Sequence, residues 1–578
     1  MLIDASSQEH HSSLLYGKKG IIWMKENMLL AGDVDAIKEF VFETSFLPQI
    51  RGGSQLLIDC EEEVKRYMRR VNGKKIYCDG GSFLFDVPSE EIESAKRDIE
   101  NIYLKTTHTA TVTMASEQEI LQQEKLPLLN FEVSRQLDRF ASRIFIAAPQ
   151  REHNKDSYGL RTSFLSGKVR ECKLEKRNAP FLEALAFGDR CECCGKRMAS
   201  KVLLLKAEPR EILKVCIVCQ RKHNRGRSGD DGTRGKFNEK FSIFLEKKDL
   251  RIRSRQPGDL DDLVNSAKRK YLAFIYADGN NIGDLLSRAN SEEDYRAISD
   301  CLSEGTKDSL FNALYSVCGP ALRNDGNWPF EIINVGGDDV TLLIQAGYAW
   351  EVAIKFLENF GKTVTACINK HKLGEFPPDW QITASCGISI ADKSYPIRFL
   401  QRLAEGSLKR AKRKAKEDKN KLTSAIDFLW LPNPIICESI ESLAGYYHRK
   451  DRSLTARPYI LDDAISLQNF AKDALDMIPS TQRHLWAEAL DRGKNASMNA
   501  IFYNIARQSD EKKRKSQELL LSRITALITS GNMQAQDSLW AFRKDGNKFY
   551  YCTALLDVLE LTELFSMRRD YGKEEPIA

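Results

Sequence analysis

What the chain lacks narrows it first. No apolar run approaches the length that a membrane-spanning helix needs, so no membrane partner is expected. The first residues, Met1-Leu-Ile-Asp-Ala-Ser-Ser, show no basic stretch followed by an apolar one. No secretory leader is read there, and a cytoplasmic protein is expected. Neither sign of charge dominates: 87 Lys and Arg against 81 Asp and Glu leave +6. That balance permits contact with nucleic acid without demanding it. The 14 cysteines suit a reducing compartment if they serve as thiols and metal ligands. Most stand singly in apolar surroundings, Cys367 and Cys386 among them, and read as small buried hydrophobes. A length of 578 residues leaves room for roughly four domains.

The stretch richest in chemistry is Asn334-Val-Gly-Gly-Asp-Asp-Val-Thr341. The apolar, β-branched runs Phe330–Val335 and Val340–Ile344 flank it and read as a hairpin. Gly336 and Gly337 supply the positive-φ or crowded positions that a tight turn needs. The tip carries Asp338 and Asp339, whose mutual repulsion a hard divalent cation relieves. A bare Gly-Gly-Asp-Asp also fits an ordinary solvated turn. A second stretch shifts the balance. Tyr271–Ala277 reads as a buried strand that delivers Asp278 into Gly279-Asn280-Asn281, ahead of a helical pattern. Strand, helix, hairpin, helix, strand and helix then run from 271 to 416. In a ferredoxin-like sheet of that order the first strand lies beside the hairpin, which sets Asp278 opposite Asp338 and Asp339. Three convergent carboxylates are what two-metal nucleotidyl transfer requires.

The same order of patterns occurs earlier. An apolar stretch, Ile21–Leu30, leads to Asp33 and Asp35; helices, a hairpin around Asp79-Gly-Gly-Ser82 and a closing strand at Ala110–Met114 follow. This reads as an internal repeat whose hairpin has no paired carboxylates. Asp33, Asp35 and Asp79 are read as helix or turn caps rather than metal ligands. Between the repeats lie Cys191, Cys194, Cys216 and Cys219, two Cys-x-x-Cys pairs with 21 residues between them. Thiolates so spaced close over one tetrahedral ion, and the reading is a structural zinc site. Cys193 remains an alternative to Cys191, and His223 a competitor, although a basic surface loop is the expected setting of the latter. Arg221–Lys240 is read as a loop, and the chain beyond Pro432 as helical, with Phe470, Leu475, Met477, Leu485 and Leu490 as core.

The segments Tyr276-Ala-Asp-Gly-Asn-Asn-Ile-Gly283 and Val335-Gly-Gly-Asp-Asp339 resemble the active palm of the large subunit of type III CRISPR effector complexes, of the Cmr or Csm type. That family is distantly similar to GGDEF cyclases and polymerase palms. Tyr395-Pro-Ile397, the helical stretch Leu400–Ala415 and Ser424–Phe428 extend the resemblance. It implies an α+β chain of two ferredoxin-like palms, a zinc-binding insert and a C-terminal helical domain. The corresponding boundaries are a degenerate first palm over 1–115, a helical and zinc-binding insert over 116–265, a second palm over 266–430, and a helical domain over 431–578.

The resemblance further implies a nucleotidyltransferase that makes cyclic oligoadenylate from ATP in antiviral defence. Asp278, Asp338 and Asp339 would hold two magnesium or manganese ions. The nucleotide would meet a Gly52-Gly53-Ser54 turn, Gly279, Asn280, Gly336, Gly337 and Ser385. Lys412, with Lys409 second, would contact its triphosphate. Implied partners are other effector subunits with guide and target RNA. A stand-alone cyclase or polymerase and a non-catalytic scaffold are the rival readings. The family often carries a His-Asp nuclease domain; no His-Asp pair occurs in this sequence, so no DNA cleavage is expected.

Overall fold

The computed structural model describes residues 27–123, 158–176, 187–204, 212–227, 235–248, 252–371, 382–417, 422–433, 437, 439–529, 539–545 and 548–569. The earlier part of the Ile21–Leu30 run lies outside them. The chain divides into two compact units. One takes the chain up to Ile37, Leu56–Phe181 and Leu286–Arg296. The other takes Lys38–Gln55, Leu182–Leu285 and Ala297–Ala578.

In the first unit β1 (Asn27–Val34), β2 (Lys74–Asp79), β3 (Ser82–Pro88) and β4 (Val112–Ser116) form an antiparallel sheet of order β2-β3-β1-β4. Helix Leu47–Arg70 precedes β2, and helix Ile92–Thr107 precedes β4. This is the ferredoxin-like arrangement. The central strand β1 buries Leu29, Leu30, Ala31 and Val34 in near-continuous fashion, as a strand between two neighbours should. The second helix buries Ala95, Ile99 and Tyr103, one stripe at helical spacing.

The second unit contains the hairpin of β5 (Lys201–Leu204) and β6 (Ile212–Val215). Its main sheet uses β7 (Tyr271–Gly279), β8 (Phe330–Gly336), β9 (Asp339–Gln345), β10 (Ala384–Asp392) and β11 (Ala425–Trp430). After β12 (Arg452–Ser453), the two-residue β13 (Tyr459–Ile460) closes the order β13-β11-β10-β7-β9-β8. The four strands β10-β7-β9-β8 repeat the order of the first sheet. Helices Glu292–Arg323 and Ala346–Lys370 make the crossovers, and β11 adds on parallel to β10. Among the described residues no helix is long and apolar enough to cross a membrane.

Several expectations need correction. Arg221–Lys240 is not one loop: helix Ile217–Arg227 enters it and helix Lys236–Lys247 leaves it, with buried Phe237 and Phe241 on the latter. The region beyond Pro432 is not helical throughout, because β12, β14 (Ala541–Asp545) and β15 (Lys548–Cys552) form a small sheet. Phe470 and Leu490 are core, whereas Leu485 is half exposed at 52%. Cys367 is not a lone hydrophobe but is bonded to Cys301.

Candidate active site

The paired strands place the carboxylates. β7 lies antiparallel to β9, with Ala277 opposite Val340, so Asp278 leaves the sheet next to the hairpin tip. The tip turns between Gly336 and Asp339, and only Gly337 has positive φ, at 59°. Gly336 needs no such freedom. Asp338 folds back toward β7. A β-carbon on Gly279 would lie 2.7 Å from Asp338 Oδ2, so the missing side chain makes room for that carboxylate. Burial and then the charge of Asp339 push Asp338 up to about 7, against the hydrogen bonds it accepts from its own N–H and that of Gly279. An acidic pair so strained by its own charge suits a divalent cation.

Asp278 has a different partner. Helix Ile397–Ala415 lies on the sheet so closely that a β-carbon on Gly387 would meet the Ala404 carbonyl oxygen at 2.2 Å. From that helix Lys412 forms an ion pair with Asp278 and donates to the Gly279 carbonyl at 3.2 Å. Burial, then Lys416 and Lys38, lower the Lys412 ammonium to about 8. Arg410, on the same helix, donates to buried Asp427 on β11 at 2.7 Å and fixes the helix to the far side of the sheet. Lys409 does not join the carboxylates. It is 71% exposed and pairs with Glu405 at 2.9 Å.

Asn280 and Ser385 serve the scaffold of the site. Ser385 stands opposite Asp278 in the register and donates to Asn280 Oδ1 at 2.9 Å, while the Asn280 amide donates to Thr383 Oγ1 at 3.0 Å. The three carboxylates converge on one sheet end. Among the described residues, however, they do not draw within 4.8 Å of one another, as the four cysteine sulfurs do.

The Gly52-Gly53-Ser54 turn is a further correction. These residues sit inside helix Leu47–Arg70, not in a turn. A β-carbon on Gly52 would lie 1.7 Å from the Lys222 carbonyl oxygen, so the glycine permits two helices to touch. Ser54 donates to the Ile333 carbonyl at 2.5 Å. Neighbouring Arg51 forks onto Glu331 of β8 at 2.6 and 2.7 Å, with both groups buried. The segment braces the carboxylate hairpin from behind. A charge inside the apolar run Phe330–Val335 was the sequence signal for this pair.

The thiol cluster matches its expectation in position. Cys191, Cys194, Cys216 and Cys219 are buried with sulfurs within 4.8 Å of one another. Cys193 lies outside this group, and Gln49 donates to its sulfur at 3.1 Å. His223 is not in a surface loop. It is 3% exposed within helix Ile217–Arg227, and burial lowers it to about 4. The donor set and spacing fit one tetrahedral ion.

The first unit ends differently at the matching sheet edge. Lys173 pairs with Asp33 at 2.5 Å, and Lys176 with Asp35 at 3.0 Å. Thr111 and Thr113 also donate to Asp35, at 2.8 and 2.7 Å. These aspartates are ion-paired with two lysines rather than plain caps. Asp79 accepts from the Gly80 N–H at 3.1 Å, the turn-capping role expected of it.

Residues 271–423 match the Cas10/Cmr2 second-palm-domain family. Over this segment the chain is similar to a Cas10/Cmr2 second palm domain, and its described residues form a mixed α+β fold. It is similar to solved Csm1–Csm4 cassettes in complex with cA4, at 14% identity and a TM-score of 0.48 over 94% of this chain and 70% of that one. The cassette with pppApApA gives 14% and 0.46 over 94% and 69%. The cassette with AMPPNP gives 13% and 0.40 over 67% and 53%. This chain therefore spans between 53% and 70% of the length of those relatives. No curated protein matches it. At such identities the chemistry rests on this chain's own residues.

Proposed function

We propose that this palm is a metal-dependent nucleotidyltransferase that joins ATP into cyclic oligoadenylate, as part of an RNA-guided antiviral effector. The observation that carries the reading is the hairpin tip: Asp338 lies against the side-chain-free Gly279, beside Asp278 held by Lys412. Asp278, Asp338 and Asp339 would hold divalent cations, which when bound supply charge stabilisation at the entering and leaving oxygens of phosphoryl transfer. The remaining work belongs to side chains. Lys412 neutralises Asp278 at rest and turns to the triphosphate as an ion pair partner. Asn280 and Ser385 keep the end of β7 rigid. The buried Arg51–Glu331 pair keeps β8, and with it the tip, in register. One zinc ion on Cys191, Cys194, Cys216 and Cys219 completes the reading as a structural element, since four protein ligands leave no open position. The test is incubation of the full chain with labelled ATP and magnesium or manganese, with and without target RNA, followed by mass analysis of products. Oligoadenylate rings are expected. A protein that consumes no ATP under any of these conditions removes the reading, and synthesis independent of RNA points to a stand-alone enzyme.

A further inference from the structure

A lysine outside helix Ile397–Ala415 also reaches the carboxylate end of the sheet. Lys38 lies on the short helix Ile37–Val41, in the segment that opens the second unit. Its ammonium stands 4.1 Å from the centre of the Tyr276 ring and 3.5 Å from Glu405 Oε2. Tyr276 precedes Asp278 by two residues on β7, so both side chains rise from one face. Phe274, two residues earlier again, meets Phe42 at 5.1 Å, so the segment carrying Lys38 lies on that same face.

The arrangement is poorly explained as a stability device. Lys38 is 34% exposed and Glu405 29%. An ion pair and a ring contact at so exposed a place contribute at most about 1 kcal/mol. Glu405 already holds Lys409 on its other oxygen, so it does not need Lys38 for its own neutralisation. What the ring and the carboxylate do achieve is to hold a flexible side chain over the strand that carries Asp278, two residues before it. A triphosphate placed there adds several negative charges to a site that has one ammonium of its own, Lys412. We infer that Lys38 is a further phosphate-binding residue of this site, resting on Glu405 and Tyr276 and transferring to the triphosphate when nucleotide binds. The inference rests on the nucleotidyl-transfer reading and adds to it a contact from outside the second-palm segment.

The test is calorimetric titration of the full chain with AMPPNP and magnesium, alongside adenosine as a probe without phosphates. Lys38→Ala is expected to weaken AMPPNP roughly tenfold or more while leaving adenosine unchanged. Lys38→Arg should restore much of the loss. Glu405→Gln should act in the opposite direction, tightening AMPPNP because the resting partner is gone. Equal losses for AMPPNP and adenosine, or no loss for either, overturn the inference while the nucleotidyl-transfer reading stands. A parent protein that binds no AMPPNP with magnesium overturns both.

Discussion

At the scale of single residues, the site turns on charge held under strain. Asp338 is ordinarily ionised above 3.8 but sits near 7 here, through burial and the neighbouring Asp339. Without metal, the folded chain therefore keeps a proton that the unfolded chain has lost between those values. Stability must fall as pH rises from 3.8 toward 7 and stay level above it. Urea midpoints measured without metal should show that fall, and Asp338→Asn should flatten it. Cation binding has the reverse dependence, since it needs the ionised form and should tighten as pH rises through 7. Replacing Asp338 and Asp339 together by Ala should abolish product formation and, without metal above pH 7, raise stability rather than lower it, because the buried charge and its repulsion are removed. A double variant that makes product at the parent rate would contradict the assignment. The two lysines should separate cleanly. Lys412→Ala should cost roughly tenfold or more in kcat/KM, whereas Lys409→Ala should cost little, because Lys409 is 71% exposed and turned to Glu405.

At the scale of elements, one helix decides whether Lys412 meets Asp278. Helix Ile397–Ala415 lies flush on β10 because Gly387 has no side chain, and Arg410 ties it to Asp427. Gly387→Ala forces a β-carbon to 2.2 Å from the Ala404 carbonyl oxygen, so the helix must lift. We expect about 1–3 kcal/mol of destabilisation in a denaturant melt, together with a loss of kcat/KM that exceeds the loss of stability. Unchanged kinetics would show that the helix position does not set the site. The two strands of the hairpin, β7 and helix Ile397–Ala415 were legible because each announces itself by period: alternation or apolar runs for strands, a three-to-four stripe for the helix. The Gly52-Gly53-Ser54 segment misled for a physical reason. Paired glycines are common in turns, yet here they sit mid-helix so that Lys222 and Gly226 can pack directly on the backbone. Nothing local in a sequence distinguishes a glycine needed for φ from one needed for space.

At the scale of the whole molecule, the sequence spoke clearly about what is local and poorly about what is distant. The four cysteines were legible as a cluster because their spacing encodes the knuckles. Lys38, Arg51 and Glu331 were not singled out, because their partners lie far away in the chain. The thiol cluster is tied to the site through exactly such distant contacts, and this yields the last prediction. Lys222, on the helix that follows Cys216 and carries Cys219, is fully buried and pairs with Glu43 at 2.6 Å while also donating to the Phe40 carbonyl. Arg197, near Cys194, reaches the same Glu43 at 3.1 Å. Gln49 is held by Cys193 at 3.1 Å. The segment Lys38–Gln55 thus takes its position from the cysteine-bearing insert, and the same segment presents Lys38 and Arg51 to the palm. Loss of the ion should loosen the insert first, because an unfolded chain has no preformed site. Glu43 would then lose its two cations, and a buried carboxylate without partners is costly. We expect Cys216→Ser to release zinc, lower Tm by at least a few degrees and weaken AMPPNP binding, although no cysteine touches the carboxylates. Asp338→Ala should keep its zinc, which separates the structural ion from the catalytic ones in metal analysis. If Cys216→Ser loses zinc yet binds AMPPNP as the parent does, the insert is not what positions the segment, and the contacts through Glu43 are incidental to the site.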